Sequence, residues 1–92
     1  MLRLADPPKT MSTFQVLLFS VLKQKIGEGC LTLTLETPAS GADLLDHLEA
    51  RYPVIEAYRP VLRLAVNQEY VPESVTLTDG DEVALITPVS GG

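Results

Sequence analysis

One window of the chain, from Ser40 to Tyr52, carries the period of a full helix, and the segments on either side of it read as strand. Ser40-Gly41-Ala42-Asp43 reads as a helix start of the capping-box kind, with Asp in place of Glu. Leu44, Leu45, Leu48 and Tyr52 then fall on one face, within about 100° of arc at about 3.6 residues per turn. Asp43, Asp46, Glu49 and Ala50 lie opposite, and Pro53 closes the element. A lone amphipathic helix must bury its stripe against another layer, and here that layer is a sheet.

The strand-like segments come in a definite order. Thr13 to Phe19 puts Phe14, Val16 and Leu18 on one face and Gln15, Leu17 and Phe19 on the other. Ser20 to Ile26 makes a short helical turn that Gly27 stops. From Gly29 to Glu36, Leu31, Leu33 and Leu35 alternate with Cys30, Thr32, Thr34 and Glu36, and this strand pairs with the first as a hairpin-like unit. After the helix, residues 53–60 are irregular or hold one short turn. Val61 to Val66 is a strand ended by a tight turn at Asn67-Gln68, Tyr70-Val71 adds a very short strand, and Leu77 to Asp81 reads as a turn. Asp81 to Thr87 is the last strand, with Val83 and Leu85 on one face, Ala84 and Ile86 on the other, and Pro88 beyond it. This order implies an α+β chain: a mixed four- to five-stranded sheet covered by one main helix, its first and last strands flanking a helical crossover. That is the β-grasp, or ubiquitin-like, arrangement.

With 92 residues there is room for one small domain. Residues 1–12, with Pro7-Pro8 and no apolar core, read as a loose leader, residues 13–87 as the domain, and residues 88–92 as a flexible tail. No window approaches the roughly 20 apolar residues of a membrane span. A net charge of −5 argues against nucleic acid and anionic membranes as partners. From Leu64 onward there is no Lys or Arg, against Glu69, Glu73, Asp79, Asp81 and Glu82, so a receiving surface should be basic. The single cysteine, Cys30, excludes an internal disulfide and suits a reducing, cytoplasmic setting. It reads as a structural or incidental thiol. His47, the single histidine, reads as a surface residue and cannot build a His-based metal site. Asp79-Gly80-Asp81-Glu82 lacks the ligand spacing of a calcium loop and reads as a solvated turn, so no metal is expected.

Ser90-Gly91-Gly92 is what a structural reading explains least. Read as a terminus, Gly91 and Gly92 leave a carboxylate on a stalk without side chains, able to enter a narrow cleft. A carboxylate is a poor electrophile until ATP converts it to an acyl-adenylate, after which sulfide, a persulfide or an amine can take the acyl group.

The runs LRLAVNQEYV and LTDGDEVALITPVSGG, with FQVLLFSVLKQKIG near the start, resemble the ThiS/MoaD group of ubiquitin-like sulfur carriers, and within it the small subunits of molybdopterin synthases. The resemblance covers about Thr13 to Gly92, and its specific part is DGDEVA followed by PVSGG. Thr87 stands where the family usually has proline, and Lys23 where it often has arginine. The resemblance implies that Gly92 is adenylated by an E1-like activating enzyme, becomes a thiocarboxylate, and donates sulfur to cyclic pyranopterin monophosphate. ATP would serve the activating enzyme, with no cofactor bound tightly by this chain. The large catalytic subunit would be the partner in a heterotetramer, with no catalytic side chain supplied here. Pro88, Val89, Ser90 and Gly91 would enter the partner's cleft. The alternatives are a carrier for thiamine or cysteine synthesis, a ubiquitin-like protein modifier, or a non-covalent interaction module. The residue pattern adds a docking patch, since Phe19, Ile86 and Leu17 fall on the face that alternation assigns to solvent, and Tyr70 sits by a turn.

Overall fold

In the computed structural model, residues 10–87 are described. The first strand, β1 (Thr10–Leu18), leads into α1 (Ser20–Ile26) and returns as β2 (Cys30–Thr37). The pair is antiparallel over its whole length, from Thr10 opposite Thr37 to Leu17 opposite Cys30. Gly27 ends α1 in the left-handed region at φ 91°, where its N–H donates to the Lys23 carbonyl. The strand therefore opens at Thr10 rather than at Thr13, and the domain boundary moves into the expected leader. Pairing explains the difference. Ser12 is buried, its hydroxyl donates to Thr37 Oγ1 at 3.3 Å, and Thr37 Oγ1 donates to the Thr10 carbonyl at 3.0 Å. Residues 1–9 lie outside the described residues.

The helix read from the sequence is α2 (Gly41–Arg51). Both arms of its capping box are made: Asp43 N–H donates to Ser40 Oγ at 3.1 Å, and Ser40 N–H to Asp43 Oδ2 at 2.9 Å. Two short strands that carry no period of their own, β3 (Ala39–Ser40) and, later in the chain, β6 (Thr76–Leu77), pair antiparallel at this helix start. Leu77, expected in a turn, is thereby buried. The stretch between the prolines forms a five-residue helix, α3 (Val54–Tyr58), which buries Ile55. Next, β4 (Arg63–Val66) and β5 (Glu69–Val71) form a two-residue hairpin at Asn67-Gln68. The strand begins at Arg63, because Val61 and Leu62 are turning, with their N–H groups bonded to Tyr58 and Arg59 carbonyls. The last strand is β7 (Glu82–Ile86).

The main sheet has the order β2-β1-β7-β4-β5, with β7 parallel to β1 and antiparallel to β4. A turn at residues 78–81 seats β7 against the beginning of the chain. Thr13 N–H donates to Asp79 Oδ1 at 2.8 Å and Gly80 N–H to the Thr13 carbonyl at 3.1 Å. One face of the sheet is the core face: Phe14, Val16 and Leu18, Leu31, Leu33 and Leu35, Leu64 and Val66, and Val83 and Leu85 all pack under Leu44, Leu45 and Leu48 of α2 and Ile55 of α3. The alternation read from β1, β2 and β7 is thus the alternation observed, and the fold is the ubiquitin-like β-grasp.

Candidate functional site

Among the described residues, no helix lies over the second face of the sheet. Its register is fixed by the ladders. Cys30 is opposite Leu17, Leu17 opposite Ala84, Ala84 opposite Ala65, and Ala65 opposite Tyr70, so these five residues form one row across all the strands. A second row pairs Ile86 with Arg63, and a third pairs Thr32 with Gln15 and Gln15 with Glu82. Because cross-strand partners share a face, the three rows describe one surface.

Two alanines in mid-sheet make that surface concave. Leu17, Phe19, Ala65, Gln68, Tyr70, Glu82, Ala84 and Ile86 line an open groove of about 310 Å³. Tyr70 is 68% exposed and Phe19 45%, whereas Ala65 at the floor is 5% exposed. The structure brings together Leu17, Phe19, Tyr70 and Ile86, the four described residues of the expected docking patch. It adds Ala65, Ala84, Gln68 and Glu82. Alternation had placed Ala84 outward, but an alanine carries no signal by itself. Ala65 was hidden within a strand whose outward side was not assigned.

Phe19 follows the last residue of β1, and Leu18 is in register with Leu85, so Phe19 and Ile86 mark the same end of the face. Thr87, buried, is the last described residue at that end. Pro88, Val89, Ser90, Gly91 and Gly92 lie outside the described residues.

The acids of the last third divide into two kinds. Asp81 accepts from Asn67 Nδ2 at 2.9 Å and from the Thr78 N–H at 2.8 Å, and Asp79 holds the Thr13 N–H. Glu73 accepts from Arg59, at the end of α3, at 3.2 Å. These three are engaged in the fold, and Asp81 helps to form the turn before β7. Glu82 borders the groove.

Arg59 gathers Asp46 at 2.6 Å and Glu49 and Glu73 at 3.2 Å each, with its own side chain 23% exposed. The hydrogen bonds it donates to Asp46 and then to Glu73 push its pKa upward, so it stays cationic. The network ties α2 and α3 to the segment before β6 and faces away from the groove. His47 is exposed on α2. Cys30 is exposed, and its thiol donates to Gln15 Oε1 at 3.1 Å. Among the described residues no three His, Cys, Asp or Glu side chains are grouped to hold a metal, and no helix is long and apolar enough to cross a membrane.

Comparison with known proteins bears on the same features. The ThiS family model matches residues 16–92. The molybdopterin synthase sulfur carrier subunit of Arabidopsis thaliana is 36% identical over 78 residues, covering 85% of this chain and 81% of its own. That of Dictyostelium discoideum is 38% identical over 82 residues, covering 86% and 95%. Among solved structures, the small archaeal modifier protein of Haloferax volcanii superposes with a TM-score of 0.79 at 27% identity, covering 88% of this chain and all of that one. A putative molybdopterin converting factor subunit 1 from Pyrococcus furiosus gives 0.77 at 26%, covering 85% and 99%.

Proposed function

The chain belongs to the ThiS family, and on that premise we propose that it is the sulfur carrier subunit of a molybdopterin synthase. The observation that carries this reading is the extent of the match, which runs through the domain and includes Gly91 and Gly92. In this reading an E1-like enzyme joins the Gly92 carboxylate to the AMP of ATP and releases pyrophosphate. A sulfur nucleophile then attacks the acyl carbon, AMP leaves, and the C–O bond to phosphate is replaced by C–S. The thiocarboxylate passes its sulfur to the pterin precursor, and water returns Gly92 to a carboxylate for another round.

The chain's own residues present the tail rather than perform the chemistry. β7 is gripped on both sides by ladders, so it fixes the point from which residues 88–92 leave. The apolar groove beside that point gives a large subunit something to hold. Phe19, Tyr70 and Ile86 supply its contact area, and Glu82 its charge.

The test is to incubate the chain with ATP, an E1-like enzyme and a sulfide source, then weigh the C-terminal peptide. Exchange of one oxygen for sulfur on Gly92 supports the carrier reading. Adenylation without sulfur transfer, with isopeptide ladders on a blot, would favour a protein modifier, the reading that the Haloferax likeness supports. No modification at all would leave a binding module and sink the proposal.

A further inference from the structure

The open face of the sheet carries opposite charges at its two ends. Along β7 the groove runs from Glu82 to Ile86, and Ile86 lies opposite Arg63 on β4. Between the ends lies the apolar row of Leu17, Ala84, Ala65 and Tyr70. Among the described residues, neither the Arg63 nor the Glu82 side chain has an ion-pair or hydrogen-bond partner. A basic end, an apolar middle and an acidic end make a self-complementary pattern.

We propose that, when no other protein covers it, this face closes on the same face of a second copy of the chain. The two-fold axis lies along the row from Leu17 to Tyr70. Rotation about that axis runs β7 antiparallel to its counterpart. It sets Glu82 of each copy over the Arg63 end of the other, so one charge match occurs twice. The central row meets itself, and the alanines leave room for the Tyr70 rings. Sheets stacked face to face lie about 10 Å apart, a gap that extended Arg and Glu side chains bridge from opposite sides. The groove-lining set is far smaller than the roughly 20–30 residues per side of a standard interface, so the dimer is weak and exchanges quickly. The same set cannot bind a copy and another protein together, which makes the dimer a self-blocked form. This inference rests on the face alone, not on the chemistry at Gly92, so sulfur loading is scored separately.

Sedimentation of the full chain from micromolar to millimolar concentration should show a monomer–dimer equilibrium that salt weakens. Arg63→Glu and Glu82→Arg should each weaken dimerisation by about tenfold, and the double exchange should recover most of the loss because the charges stay complementary. Circular dichroism confirms that each variant is folded. For the unaltered chain, dilution should move the amide signals of Leu17, Ala65 and Ala84. A monomer at every concentration overturns the proposal. So does a dimer whose double exchange shows no recovery, or one whose moving signals lie along β2 instead.

Discussion

Gly41 begins α2 where that helix meets the chain before β6: its N–H donates to the Val75 carbonyl at 3.0 Å, and Ala42 N–H to the Glu73 carbonyl at 2.9 Å. A Cβ at this position would run into the Leu64 side chain and come within 3.1 Å of the Glu73 carbonyl oxygen, which cannot yield. Gly41→Ala is expected to lower stability by about 1–3 kcal/mol, read as a lower urea midpoint at unchanged m-value. Arg59 makes a contrasting case. Its three carboxylates are partly solvated, so Arg59→Met should cost only about 1 kcal/mol, and that cost should shrink in high salt. Neither role was legible in the sequence, because each depends on residues brought in from a distant segment. Leu31, Leu33 and Leu35 were legible, since their burial follows from two-residue alternation within one strand.

At the level of the element, what could be read tracked length and local chemistry. β2 and α2 are long enough to show a period, and the α2 capping box is written in four consecutive residues. Ser40→Ala should remove its hydroxyl arm at a cost of about 1 kcal/mol, visible as a lower Tm. β3 and β6 are two residues each and show no period, which is why Leu77 passed for a turn residue. The hairpin between β4 and β5 holds Asn67 at φ 50° and Gln68 at φ 73°, both left-handed, as a two-residue turn of this hand requires. Gln68 is the poorer fit there. Gln68→Gly is expected to raise stability by about 0.5 kcal/mol, the relief of left-handed strain outweighing the greater freedom of the unfolded chain. A lower Tm would mean that the Gln68 side chain, which lines the groove, contributes more than its backbone costs.

For the molecule as a whole, the layout places the core on one face of the sheet and the apolar groove on the other. Phe19→Asp should leave the Tm within about 1 °C of the unaltered chain, because Phe19 is not part of the core, yet abolish capture of a molybdopterin synthase large subunit. Phe19, Ile86 and Leu17 were read onto this face by alternation, and Tyr70 was picked out only by its place near a turn. The concavity was not foreseen, because it comes from Ala65 and Ala84 on neighbouring strands, and adjacency across a ladder is a property of register rather than of either segment. The charge pattern was legible in total and not in use: only the folded turn reveals that Asp79 and Asp81 are occupied by backbone and amide donors.

The central place of β7 also has a mechanical meaning. A pull on the residues that follow Ile86 acts along the strand, in shear against the β1 and β4 ladders together, and not as a peel from an edge. Bonds loaded in shear share the force and must fail together. An enzyme that draws the end of the chain into a deep cleft can therefore haul on it hard without unravelling the body that carries it.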